Sequence, residues 1–203
     1  MTSTDALGAW CVGISMAFVW PQVWRCLRHD TSHGISPYAT LNAVLASVLW
    51  FTYGVADGIV SVWTSNISML VAQVLIASVI VRHGRMDRSL AWFFALAGAA
   101  LLGAGLATSA ATIGWAAIVV SGSGMIPVVL HVRNAESLHG ISIASWAITV
   151  VACCSWMVYG WVSGQPTVSY VNYFTVPLMF FVIARTWRWR TANGVPVFGR
   201  ITA

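Results

Sequence analysis

Long apolar stretches alternate with short polar ones along the whole chain. Seven of the apolar stretches approach the roughly 20 residues that a helix needs to cross a bilayer. The pattern predicts helices over residues 6–26, 37–56, 59–81, 90–107, 112–130, 142–162 and 167–186. The polar segments between them are of two kinds. RCLRHDTSHG, RHGRMDR, HVRNAESLHG and the tail RTWRWRTANGVPVFGRITA carry arginine, whereas Asp57-Gly58 and Ser163-Gly164-Gln165-Pro166 are tight turns that carry none. Ser36-Pro37 reads as an N-cap followed by proline at the first helical position. The fourth apolar stretch is built almost only of Ala, Gly, Leu and aromatic residues. Its Ala95, Ala99, Gly103 and Ala107 recur every four residues, a small face that would let helices approach closely in lipid.

Composition turns this pattern into a compartment. Of 203 residues, 59% are hydrophobic and 7% charged, against about a quarter charged in a soluble domain. The chain therefore reads as all-α and integral to the membrane, with multiple passes. The net charge of +5 is a topology signal: there is no Lys, and Arg25, Arg28, Arg82, Arg85, Arg88, Arg133, Arg185, Arg188, Arg190 and Arg200 fall only in alternate loops. Cytoplasmic loops hold such an excess, so the N-terminus is expected outside and the C-terminus in the cytosol of a bacterial plasma membrane. A nucleic-acid partner is not expected. MTSTDALGAW lacks a basic n-region and reads as the start of a helix, not as a secretory signal. Cys11, Cys26, Cys153 and Cys154 have no metal-ligand or disulfide-framework spacing. No HExxH, GxSxG or phosphate-binding loop occurs. Neither enzyme activity, metal nor cofactor is expected, and His33 and His139, each beside a Gly, read as turn residues.

A shift of 106 residues aligns the chain with itself, without a gap, from Gly8 to Arg82. About seventeen of roughly 75 positions are then identical. Ser15 meets Ser121, Pro21 meets Pro127, and His33-Gly34-Ile35-Ser36 meets His139-Gly140-Ile141-Ser142. Trp50, Tyr53, Gly54, Gly58 and Asn66 meet Trp156, Tyr159, Gly160, Gly164 and Asn172. Three helices per repeat is an odd number, so one additional crossing is needed to keep the repeats parallel. The expected architecture is seven helices as 3+1+3, two parallel three-helix bundles joined by a linker helix. The expected segments are residues 1–86, the linker 87–110, residues 111–190 and a cytosolic tail, 191–203.

Asn is costly at membrane depth unless it meets a partner or a wet cavity. Trp50 and Asn66 lie eight residues either side of Gly58, as Trp156 and Asn172 do around Gly164. Eight helical residues span about 12 Å, which places all four near the middle of a core about 30 Å thick. Asn amides offer donors and acceptors to hydroxyl groups, and indole offers a flat apolar face with an N–H at its edge. The expected ligand is small and neutral. Interhelical hydrogen bonding by Asn and packing by Trp are the plainer alternative. Tyr53, Asp57 and Tyr159, nearer the outside, are candidate gate residues, with interfacial anchoring as the alternative. Pro21 and Pro127 interrupt the helical ladder at matched sites and are candidate hinges. Asp5, Asp30, Asp57, Asp87 and Glu136 all map to loops or helix ends, which favours a uniporter over a proton-driven carrier.

Pro21-Gln22, the three-helix repeat used twice and the 3+1+3 layout resemble the PQ-loop and SWEET/SemiSWEET carriers. W-x-x-Y-G with a downstream Asn, present twice, makes the resemblance specific, and it covers nearly the whole chain. It implies alternating-access transport of a mono- or disaccharide, with Trp50, Asn66, Trp156 and Asn172 at the sugar site. It also implies hinge roles for Pro21, Gln22, Pro37 and Pro127. The second repeat departs from the pattern, with Val128 where the first has Gln22 and Ile143 where it has Pro37. The proton-coupled branch of these carriers typically holds an acid where this chain has Ala43 and Thr149. A proton-coupled carrier of amino acids or other solutes, and a receptor or structural protein on the same fold, stay open as alternatives. The expected partners are the bilayer and a small neutral solute, a sugar; homo-oligomerisation is left open.

Overall fold

A computed structural model of the chain describes residues 2–197. Among the described residues it consists of helices and their connections: α1 (Ser3–Arg28), α2 (Pro37–Ala56), α3 (Val60–Arg82), α4 (Arg88–Thr108), α5 (Ala110–Ser123), α6 (Met125–Asn134), α7 (Ile143–Val162) and α8 (Pro166–Ala192). With α5 and α6 taken as one span, seven helices are long and apolar enough to cross a membrane. The chain packs as two compact units, Met1–Ser121 and Gly122–Ala203. The division falls inside the fifth span. Residues 198–203 of the expected tail, Arg200 among them, lie outside the described residues.

In the first unit α3 packs against both α1 and α2, so the third helix of the repeat is the central one. In the second, α8 packs against both α6 and α7. The helix pairs are joined by the same turn. Gly58 N–H donates to Val55 O (3.3 Å) and Ile59 N–H to Gly54 O (2.7 Å); Gly164 N–H donates to Trp161 O (3.2 Å) and Gln165 N–H to Gly160 O (2.7 Å). This is a Schellman closure. It needs a left-handed residue, and Gly58 (φ +67°) and Gly164 (φ +72°) supply it.

The glycine of each Tyr-Gly pair has a different task. A Cβ at Gly54 would lie 2.8 Å from the backbone nitrogen of Trp63, and one at Gly160 would lie 2.9 Å from the backbone nitrogen of Ser169 and from Gln165 O. The neighbouring helix backbone passes through the space that any other residue would fill. Ser169 fixes the second contact further, donating from Oγ to Met157 O at 2.7 Å.

The expected boundaries hold most closely for α2, where Ser36 caps the helix by accepting from Ala39 N–H and Pro37 is the first residue. Ser142 caps α7 in the same way. Asp87 caps α4; hydrogen bonds from the Ser89 hydroxyl and N–H hold its carboxyl below the usual carboxylate range. The seventh span runs longer than expected, to Ala192. RTWRWR contains no Gly or Pro, and the chain first turns at Gly194 (φ +65°). Trp187 and Trp189 are therefore helical rather than part of a tail.

The two interior prolines behave differently. α1 continues unbroken through Pro21. The fifth span is interrupted at Gly124, three residues before Pro127. Pro127 brings no N–H to the Ser123 carbonyl, and Gly122 and Gly124 weaken the turn before it; the first repeat has Met16 and Phe18 at those places. The small face expected on α4 is also corrected. Ala95, Ala99, Gly103 and Ala107 are exposed. The packed face is Phe94, whose ring meets Tyr38 at 5.4 Å, with Gly98 against Leu45 and Gly105 against Ile113. Four-residue spacing identifies a stripe; the aromatic contact and the closest approach decide which stripe is used.

Gly160→Ala is expected to destabilise the protein by about 1–3 kcal/mol, the usual cost of overpacking, and to lower its apparent Tm in detergent by several degrees. Gly13→Ala, where a Cβ meets nothing within 4 Å, serves as the control and is expected to melt like the parent.

Candidate functional site

Each unit builds one copy of the expected motif, and the copies share their local geometry. Trp50 meets Tyr53 edge-on, with ring centroids 5.7 Å apart and planes at 76°; Trp156 meets Tyr159 at 5.5 Å and 84°. One helical turn separates the two rings of each pair, the spacing at which side chains stack along a helix. Tyr53 and Tyr159 are both buried, at 1% and 6% exposure. Of the three residues expected as gates, only Asp57 is exposed, at the C-terminal cap of α2. The tyrosine rings pack edge-on against the neighbouring indoles.

Both asparagines bond to their own helix. Asn66 Nδ2 donates to Val62 O at 2.8 Å and, more weakly, to Ser65 Oγ at 3.4 Å; Asn172 Nδ2 donates to Val168 O at 3.2 Å. The acceptors are again repeat partners. Neither amide bonds to a neighbouring helix among the described residues, so interhelical hydrogen bonding does not account for them. An Asn amide has an oxygen with two lone pairs and two N–H donors. Back-bonding to the helix uses one N–H of Asn172 and leaves its oxygen and second N–H for another partner. Asn172 is buried at 5% exposure, and Asn66 is half-buried.

Trp50 differs from the expectation in one respect. Its Nε1–H donates to Ser121 Oγ at 2.9 Å, so the indole edge already has a partner on α5. Two turns along α2, Asn42 donates from Nδ2 to Val120 O at 3.1 Å. Asn42 is buried, yet sequence reasoning missed it because its repeat counterpart is Ile148. The Ser15–Ser121 identity was the only signal available for Ser121.

The candidate hinges divide. Pro127 lies just past a helix break, Pro21 and Gln22 lie in continuous helix, and Pro37 opens α2, where it interrupts no hydrogen bond. The acids are confined as expected: Asp5 in the capping box of α1, Asp57 and Asp87 at helix caps, and Asp30 and Glu136 in loops. None lies near the Trp and Asn pairs in sequence depth.

At the arginine-bearing end of each unit, an Arg ties down the HGIS loop. Arg85 donates to Ser32 O and, at 3.3 Å, to Ile35 O. Arg190 donates to Ile141 O at 2.7 Å and to Pro196 O and Val197 O at 2.9 and 3.0 Å. Ile35 and Ile141 are repeat partners; Arg85 and Arg190 are not, since the 106-residue shift pairs Arg190 with Gly84. Further ties differ between the units. Asp30 pairs with Arg82 at 2.9 Å, and Ser32 bonds His83 Nδ1 at 2.9 Å. In the second unit Trp189 Nε1–H donates to Glu136 O at 2.8 Å, and its ring packs on His139.

Comparison with known proteins agrees with this construction. The PQ loop repeat family matches residues 4–63, which span α1, the first HGIS loop, α2 and the turn into α3. No curated protein matches the chain in sequence. Among solved structures, a eukaryotic SWEET transporter superposes with a TM-score of 0.71 at 16% identity, covering 94% of this chain and 100% of that one. The chain is a seven-helix membrane protein whose residues 4–63 resemble the PQ loop repeat. It has the fold of a SWEET transporter.

Arg190→Met is expected to speed backbone hydrogen–deuterium exchange at residues 135–142 and 195–197 by at least about tenfold, as three carbonyl ties are lost. Exchange at residues 29–36 is expected to stay unchanged. Arg85→Met should give the reverse pattern, and equal effects of either substitution on both loops would refute separate latches.

Proposed function

We propose that the chain is a membrane carrier that moves a small neutral solute, a mono- or disaccharide, down its gradient by alternating access. The observation that carries this reading is the duplicated Trp–Tyr–Asn geometry. Two matched elements each hold an indole face edge-locked by Tyr and an amide with unspent hydrogen-bonding capacity. Trp50 and Asn66 from the first repeat, and Trp156 and Asn172 from the second, would bind the solute. Aromatic faces suit the C–H surfaces of a pyranose or furanose ring, and neutral amides suit its hydroxyls in either donor sense. The fold is that of a protein described as a transporter, and the PQ loop repeat supports the same class.

The charge distribution supports uniport. A proton-driven carrier needs a group that changes charge at depth, and all five acids lie at helix ends or in loops. Binding by dipoles alone needs no proton. The break before Pro127 supplies a flexible point in the fifth span. Asp57, exposed beside the motif's turn, and the buried Tyr53 and Tyr159 are the gate candidates. Arginine-bearing loops would face the cytosol.

Counterflow of labelled glucose and sucrose in proteoliposomes tests the reading. The parent protein is expected to exchange at least one of them with no accompanying proton current. Asn66→Ala and Asn172→Ala are each expected to slow exchange by at least about tenfold, the effect of losing one or two hydrogen bonds to a buried ligand. Normal exchange by both variants would exclude the site while leaving the carrier function standing. An inward proton current would point to a coupled carrier.

A further inference from the structure

Asn42 is a buried polar side chain at a position where the other repeat has an exposed Ile. Burying an amide is unfavourable unless it is hydrogen-bonded, and its recorded partner is specific: Val120 O, on α5, four residues before the Gly124 break. Trp50, on the same helix, bonds the next residue, Ser121. Asn42 and Trp50 are about 12 Å apart along α2, yet their acceptors are adjacent in sequence. The two side chains therefore converge on the last turn of α5 from opposite directions. One of the two, Trp50, also belongs to the solute site under the reading above.

We propose that Asn42 is a positioning residue of the transport cycle, and that Asn42 and Trp50 form a two-point clasp on the end of α5 that the solute half-opens. A solute hydroxyl that accepts from the Trp50 indole N–H takes that donor from Ser121, because an indole has a single N–H. Asn42 is then the one point of the clasp still closed, beside a turn already weakened by Gly122, Gly124 and Pro127. Occupancy of the site is thereby coupled to mobility at the break. This inference rests on the carrier reading for its trigger, but the clasp itself does not.

Two measurements separate these parts. Hydrogen–deuterium exchange without solute tests the clasp: Asn42→Ile, which installs the residue of the other repeat, is expected to speed exchange at residues 118–126 by at least about tenfold. Asn42→Ala provides a second variant, and unchanged exchange in either well-folded variant overturns the clasp. Equilibrium binding and counterflow of labelled glucose and sucrose test the trigger. Asn42→Ile is expected to change the exchange rate at least about fivefold with less than about a twofold change in Kd. Ser121→Ala, which removes the acceptor competing for Trp50, is expected to tighten solute binding about two- to fivefold, a modest hydrogen-bond effect. Weaker binding by Ser121→Ala would place Ser121 itself on the solute and overturn the exchange of partners. If the parent neither binds nor exchanges any sugar, the carrier reading and the trigger fall together, and the exchange data still decide the clasp.

Discussion

The structure depends most on two places where helix backbones touch. At Gly54 the α2 backbone lies so close to Trp63 N that no side-chain carbon fits, and at Gly160 α7 meets Ser169 N in the same way. These contacts fix how far one helix can slide along its partner. Trp50 lies four residues before Gly54, and Asn66 three residues after Trp63. Both are about one turn from the contact, on the same side of it. Their common depth is thus set by the packing of two backbones as well as by the turn at Gly58. A one-residue slip at either glycine would rotate an indole or an amide by about 100° and separate the pair.

From these contacts outward the halves diverge. At the tight turn their backbone hydrogen bonds match partner for partner. At the opposite end the first unit secures its loop with ionic and hydroxyl groups, among them Asp30, Ser32, Arg82 and Arg85. The second buries Leu138, the repeat partner of Ser32, and uses Trp189 and Arg190. Both solutions neutralise the carbonyl at Ile35 or Ile141 with a guanidinium, which can serve several acceptors at once. The common requirement is a satisfied loop carbonyl where the chain re-enters the helical layer.

Helix content, span number and the paired motif were legible in the sequence because each follows from a strong local signal. Apolar length gives spans, Ser36 gives the cap of α2, and a gap-free repeat exposes Trp, Tyr, Gly and Asn at matched places. What was not legible depends on contacts that have no spacing. Asn42 meets Val120 and Trp50 meets Ser121 across separations of 78 and 71 residues in the chain. Arg85 and Arg190 do the same work in different registers because α8 outruns α3 by one turn, so the alignment that found the motif also hid the latch. On α4 the visible small stripe was the exposed one, since Phe94 and its contact with Tyr38 choose the packed face.

The chemistry of the asparagines ties site to fold. A bare amide in the span would carry the full cost of desolvation. Donating one N–H to the carbonyl four residues back removes part of that cost and aims the group without recruiting a neighbouring helix. The helix carbonyl loses nothing, since it has a second lone pair. An Asp at the same place could not make this bond while ionised, because a carboxylate only accepts; it would have to take up a proton first. Asn at both positions therefore satisfies the apolar span and presents polar atoms at every pH, which is what the proposed recognition of a neutral hydroxylated solute without a proton would require.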